Sequence, residues 1–469
     1  GKYLLDGAAV LKHSILLNSA QTLESGSKYN YTMIAFLYED NNPTTTATNS
    51  ISSIKPTNAT ATTTATNTTS TSRTNNMNCM PHLQALGYEI RRYTKLPVPL
   101  SDIQNEWFRE RVQKGGCCQE KEFLKLYAYT LMNYPIVVHL DVDSLLLKPF
   151  DSLYDVMMLD VTPTSSKGRI TRQEELVRQI KPMWINTVIH DEKEELSMFN
   201  ASTKATSIDA FFTRDYNMIT ASYFYKSGKA IKQVGVQGGF LVVKPNLEVF
   251  EEYRQLIRYG NYTSNNGWGD KGYGKFYGGV TIQGLVGYYY GELYDAVDDS
   301  IAYHGNTLEH QSPSTATADY HQGRTSMELN RCYYNQMADS PFQVKDDVTY
   351  CRTNQNLTEC QDCRETSFED IYSVHFTVCQ KPWMCWQYAP NRTDLCAKFH
   401  RRWFQVRQSL ENSWQMDVNS SNDHAVLLPW KNESNGGAWN SNIRRGYCGK
   451  NGKRRAYSPM QIPLHPNKH

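Results

Sequence analysis

No uninterrupted apolar run in this 469-residue chain reaches the length of a membrane span. The most apolar stretch, Ile136–Leu147, is broken by His139, Asp141 and Asp143. A signal-peptide pattern is also missing. The chain opens without Met, directly in the helix-forming Tyr3–Leu17, and so reads as a processed or trimmed segment whose membrane anchor, if it has one, lies outside it. Charge of one sign is lacking too: 49 Lys and Arg against 47 Asp and Glu leave a net charge of +2, so no electrostatic argument favours nucleic acid. Pro43–Thr74 has almost nothing to bury; 19 of its residues are Ser or Thr. Residues 43–74 therefore predict a disordered insertion in a surface loop. From His304 onward hydrophobic periodicity largely fails, the basic, aromatic Cys396–Leu410 excepted.

What the C-terminal part has instead is cysteine. Eight of the 11 Cys lie between Cys332 and Cys448, a density that suits an oxidising compartment. Nine Asn-x-Ser/Thr sequons, at Asn30, Asn58, Asn67, Asn200, Asn261, Asn356, Asn391, Asn419 and Asn432, agree with passage through a secretory pathway. A poor core and many Cys predict that most of the eight are disulfide-bonded to one another, and sequence does not choose among the connectivities. The competing use, a structural zinc through Cys360-x-x-Cys363, is the weaker one there. The 31 Tyr and 9 Trp suit a sugar-binding surface as well as an ordinary core.

The first half alternates. Helical patterns at Tyr3–Leu17, Met80–Leu86 and Glu120–Tyr134 are followed by strand-like Tyr31–Tyr38, Tyr88–Tyr93 and Ile136–Leu140. Such alternation predicts an α/β fold with a mainly parallel sheet and helices on both faces. The third strand ends on Asp141 and Asp143. Residues i and i+2 of a strand point the same way, and the carboxyl ends of strands are where open α/β sheets bind ligands. Two hard oxygen donors there suit Mg²⁺ or Mn²⁺. Further on, Gln237-Gly238-Gly239 opens a strand through Lys244, where glycine lets backbone approach a ligand.

Phe123-Leu124-Lys125-Leu126, the strand, Leu140-Asp141-Val142-Asp143-Ser144 and Lys148-Pro149-Phe150-Asp151 together resemble the core of glycogenin and the related family 8 glycosyltransferases. The likeness continues elsewhere, in the family's order. Tyr3, then Gly7-Ala8-Ala9-Val10-Leu11 and Ser14-Ile15, is similar to the helix after the family's first strand, a strand that would lie upstream. The resemblance puts Tyr3 near the uracil base, although one extra residue separates it from Gly7. Gln237-Gly238-Gly239 resembles the segment that meets the donor sugar, with Gln for the usual Asn. In His375-Phe376…Lys381-Pro382-Trp383 the resemblance makes His375 the third metal ligand and Lys381 a holder of the diphosphate. Val378 stands where a small residue is usual. The family's Asp-Gly-Gly-Asp-Gln-Gly becomes Tyr277-Gly278-Gly279-Val280-Thr281-Ile282-Gln283-Gly284. Gln283 is kept beside the reacting face of the sugar; both Asp are lost, to Tyr277 and Ile282.

The resemblance thus implies a GT-A-like (Rossmann-like) domain. It would be a metal-dependent retaining glycosyltransferase that moves a sugar from a UDP-sugar to a glycan or protein acceptor in the Golgi lumen. Asp141, Asp143 and His375 would hold Mn²⁺ or Mg²⁺. Tyr3, Lys125, Gln237, Gly238, Gly239 and Lys381 would bind the nucleotide sugar, and Gln283, Lys381 and Asp215 are the catalytic candidates. The expected division is an α/β core over residues 1–330, a Cys-rich segment over 331–410 that completes the site, and a polar, basic, solvated extension over 411–469. A non-catalytic relative that binds carbohydrate or acts as a scaffold is the alternative; the lost Asp pair favours it.

Overall fold

Every residue of Val236–Val243 is buried, and the neighbouring elements are arranged about this strand. Its run of Val, Phe and Leu suits a strand covered on both faces. The computed structural model describes residues 2–21, 25–39, 79–115, 118–158, 180, 207–218, 234–276, 278–290, 324–352, 357–358, 360–385, 394–419, 447–448 and 457–464. The expected insertion over residues 43–74 lies outside them, as do the charged segments near Glu174 and Asp191.

In chain order the first elements are α1 (Lys2–Asn18), β1 (Ile34–Tyr38), α2 (Met80–Ala85), β2 (Glu89–Tyr93) and α3 (Glu106–Val112). A 3-10 segment (Gln119–Thr130), β3 (Val137–Leu140), β4 (Ser144–Leu146), α4 (Asp151–Met157), β5 (Ser207–Arg214), β6 (Val236–Val243) and α5 (Leu247–Tyr259) follow. Then come the two-residue β7 (Tyr262–Thr263) and β8 (Gly267–Trp268), α6 (Ile282–Tyr288), β9 (Arg324–Glu328), β10 (Phe342–Lys345), β11 (Val348–Cys351), β12 (Ser373–His375) and α7 (Leu395–Asn419).

The largest described sheet has the order β3-β6-β5-β9. β6 is antiparallel to β3 and to β5, whereas β5 and β9 are parallel. β1 pairs parallel with β2, and β4 pairs antiparallel with β12. The protein is therefore mixed α/β, with small sheets of both senses and a disulfide-rich C-terminal region. The expectation of a mainly parallel sheet needs correction among the described residues, where only β1–β2 and β5–β9 are parallel. Alternating helix and strand patterns foretell crossovers; they do not say that β6 will slot between β3 and β5 in the opposite sense.

Local sequence explains several boundaries. Asn246 caps α5 by accepting from the backbone N–H groups of Glu248 and Val249. Val249, Tyr253, Leu256 and Ile257 form its buried face. Gly260 ends it at φ +63°, and a Cβ there would stand 2.6 Å from Asn105 Cβ. That Asn105 caps α3 and also donates to the Gly260 carbonyl, so one cap locks the next. The Glu120–Tyr134 helix expected from sequence is instead a 3-10 segment that stops at Thr130. Its buried Phe123, Leu126 and Tyr129 recur every three residues, the spacing that three residues per turn places on one side.

The C-terminal region shares a core with α1 and β4. Val10, Leu145, Val374, Phe376, Trp383 and Trp403 pack in one cluster. All eight late Cys are paired: Cys332–Cys363, Cys351–Cys360, Cys379–Cys396 and Cys385–Cys448. Cys360 and Cys363 thus belong to two different bridges, which removes the zinc reading. Such disulfides mark a secreted or lumenal protein, and no helix among the described residues is long and apolar enough to cross a membrane. The expected solvated tail over 411–469 also needs correction at its described residues, 411–419, 447–448 and 457–464. Helix α7 runs on to Asn419, and Cys448 is bridged. Tyr457 is buried; its hydroxyl donates to Asp6 at 2.6 Å and accepts from Arg407 at 2.6 Å. The polar composition hid these few aromatic anchors. The basic run Lys450–Arg455 lies outside the described residues.

Candidate metal centre

Two strand pairings bring distant residues together. In β3–β6, Leu140 stands opposite Phe240, so the next residue, Asp141, meets Gly239 and donates its backbone N–H to the Gly239 carbonyl at 3.1 Å. In β4–β12, Ser144 stands opposite His375. The residue before Ser144 is Asp143, whose carbonyl accepts from Phe376 N–H at 2.9 Å. Asp141, Asp143 and His375 each offer one ligand atom, and these atoms lie within 4.8 Å of one another. His375 Nε2 is 3.5 Å from Asp143 Oδ1 and 4.0 Å from Asp141 Oδ2.

The donor set fits a divalent cation. Two carboxylates and an imidazole are ordinary ligands of such ions, and His375 and Asp143 are buried. His375 Nδ1 is buried without a hydrogen-bond partner among the described residues. Gly239 keeps the space clear: a Cβ on it would lie 2.5 Å from His375 Cε1 and 2.7 Å from Asp141 Oδ2. The Gly239→Ala variant is therefore expected to weaken Mn²⁺ binding at least about tenfold, while overpacking destabilises the fold by about 1–3 kcal/mol. Metal titration alongside thermal unfolding separates the two effects.

Two lysines compensate the carboxylates. Lys125 Nζ lies 3.1 Å and 3.3 Å from the two Asp141 oxygens, 3.0 Å from Glu122 and 3.1 Å from the Gly238 carbonyl. Burial opposes its charge, but Asp141 and Glu122 outweigh burial and hold its pKa above the ordinary lysine value. Lys381 Nζ pairs with Asp143 Oδ2. Burial would raise both aspartates; Lys125 beside Asp141, and His375 and Lys381 beside Asp143, pull both below the usual carboxylate range instead. Counting Glu122, three carboxylates face two ammonium groups, a net negative charge that favours a further cation.

Gln237 is buried, and its Oε1 accepts from Gly239 N–H at 2.5 Å. It thus braces the Gly238–Gly239 stretch of β6 from within. Gln283 flanks the same stretch of β6, since a Cβ on Gly238 would lie 3.5 Å from Gln283 Cγ and 3.6 Å from Lys125 Nζ. Of the two positions where the family resemblance would place Asp, Ile282 is fully buried and faces Gly238; Tyr277 lies outside the described residues. Tyr3 stands apart. It is 46% exposed in the first turn of α1, its ring edge-on to Tyr457 at 5.6 Å. The same helix reaches the site through Gly7, where a Cβ would stand 2.6 Å from the Val142 carbonyl.

Asp215 follows β5, buried, with its backbone N–H on the Gly235 carbonyl. It is not one of the three clustered ligands. Burial first, and then Asp339, push its carboxyl up to about 6. A carboxyl raised on folding contributes its relative stability below the unfolded pKa, about 4, and loses it as pH rises through about 6. Asp215→Asn is thus expected to stabilise the fold above pH 6, by on the order of 1–3 kcal/mol, and to change little near pH 3.5. Unfolding measured across this pH range checks it.

Sequence reasoning missed Glu122 and His139. Glu122 is one 3-10 turn before Lys125, and His139, two residues before Asp141 on the same strand face, places Nε2 3.4 Å from Asp141 Oδ1. Spacing of three and of two was the available signal. No family model matches the chain, and no curated protein matches it either.

Proposed function

We propose that the protein is a metal-dependent retaining glycosyltransferase of the secretory pathway, with a GT-A-like core related to family 8. The donor would be a UDP-sugar, the acceptor a glycan or glycoprotein, and the compartment the Golgi lumen. The observation that carries this reading is the meeting of Asp141 and Asp143 with His375 and Lys381 from far along the chain. These are the four positions that the family resemblance assigned to the metal and the diphosphate. Mn²⁺ on the two aspartates and the histidine would stabilise charge on the departing diphosphate. Lys381 would add a point charge from the neighbouring loop. Gly238 and Gly239 let a ligand approach the backbone, and Gln283 beside them would meet the sugar. Tyr3, on the exposed first turn of α1, would reach the base.

A non-catalytic carbohydrate-binding or scaffolding role is the second reading, favoured by the apolar, buried Ile282 at a place where the family has a sugar-gripping carboxylate. A panel of nucleotide sugars, assayed for hydrolysis with and without Mn²⁺, tests between them. Mn²⁺-dependent release of UDP from one donor supports the transferase. Binding of Mn²⁺ and UDP with no turnover of any donor or acceptor supports the second reading.

A further inference from the structure

The two lysines at the centre are held in different ways. Lys125 has four polar contacts and only 14% side-chain exposure, so it is a fixed counter-ion. Lys381 is 33% exposed, and Asp143 is the partner its ammonium has among the described residues. Its backbone, by contrast, is anchored. Cys379 is bridged to Cys396 and Cys385 to Cys448, on either side of Lys381-Pro382-Trp383. Trp383 is buried against Trp403. A flexible four-carbon stem on a rigid base can move its charge by several ångströms without moving the loop.

Resting on the metal-site reading above, we infer that Lys381 is an exchangeable counter-ion. It neutralises Asp143 in the absence of a divalent cation and is released to a diphosphate when a cation takes that carboxylate. Asp143 Oδ1 faces His375, and Oδ2 holds Lys381. A cation shared by Asp141, Asp143 and His375 competes with the ammonium for the same carboxylate and repels it at short range. The freed ammonium remains beside the cation, tethered by its loop, where a diphosphate on that cation would need a second positive charge. Metal and diphosphate therefore bind cooperatively, and the coupling is reciprocal. Without the anion, Lys381 is an internal competitor of the metal.

Lys381→Met in the full chain separates this from a plain phosphate-binding lysine. Titrations of Mn²⁺ alone, and of UDP with and without Mn²⁺, are compared with the native protein after thermal unfolding shows both folded. In the native protein each ligand is expected to tighten the other. In Lys381→Met, Mn²⁺ alone is expected to bind about tenfold tighter, because its competitor is gone, and UDP with Mn²⁺ about tenfold weaker. A damaged loop would weaken both. Lys381→Arg, which keeps the charge, is expected to hold Mn²⁺ affinity near the native value. Unchanged or weakened Mn²⁺ binding in Lys381→Met overturns the exchange but leaves the metal site standing. Failure of the native protein to bind Mn²⁺ overturns both.

Discussion

Replacing Asp143 with alanine is expected to lower Mn²⁺ affinity by at least about a hundredfold, because it removes one of three protein ligands where loss of a mere supporting group already costs 10–100-fold. The fold should survive. Lys381, one-third exposed, can turn its ammonium to water when Asp143 is gone. Asp141→Ala makes the useful contrast. It would strand Lys125, which is buried and would then keep, among the described residues, Glu122 and a carbonyl, and breaking such a pair costs about 3–5 kcal/mol. Asp143→Ala should therefore lose metal with little change in unfolding temperature, and Asp141→Ala should lose both. Metal titration and thermal unfolding of the two variants are the check. Native Mn²⁺ affinity in Asp143→Ala would remove it from the ligand set.

The second large effect is expected from the Cys385–Cys448 bridge, which closes a separation of 63 residues. Loop-closure entropy alone assigns it about 4 kcal/mol. It also ties the Lys381 loop to Tyr447-Cys448, whose Tyr447 stacks on Phe404 and donates to Glu411. The Cys385→Ser, Cys448→Ser double variant is thus expected to unfold earlier and, while still folded at low temperature, to bind UDP with Mn²⁺ several-fold more weakly. Mn²⁺ alone should bind nearly as before, since its ligands lie on β3–β4 and β12. Native UDP affinity in a destabilised double variant would show that the bridge supports the fold and not the loop.

Much of this site was legible because its parts are local. Asp141-Val142-Asp143 after a β-branched run and two glycines early in a buried strand are visible in short windows, whereas His375 and the Lys six residues after it were singled out by the family resemblance alone. What joins the parts is not local. That Ser144 pairs with His375 depends on a ladder between segments far apart in the chain, and nothing in either short strand names its partner. The sense of β6 was hidden for the same reason. Tyr457 was missed because one aromatic in a polar stretch carries no periodicity, yet its bond to Asp6 fastens that stretch to α1. Disulfide participation followed from composition and compartment; the four pairings needed coordinates.

The most direct test of the metal centre is electron paramagnetic resonance of the full chain titrated with Mn²⁺, read for nitrogen coupling from a coordinated imidazole. The expected result is one tightly bound Mn²⁺ per chain with a nitrogen coupling that disappears in His375→Ala. A spectrum of Mn²⁺ bound only through oxygen, or one unchanged by loss of His375, would contradict the convergence of Asp141, Asp143 and His375 on a single ion.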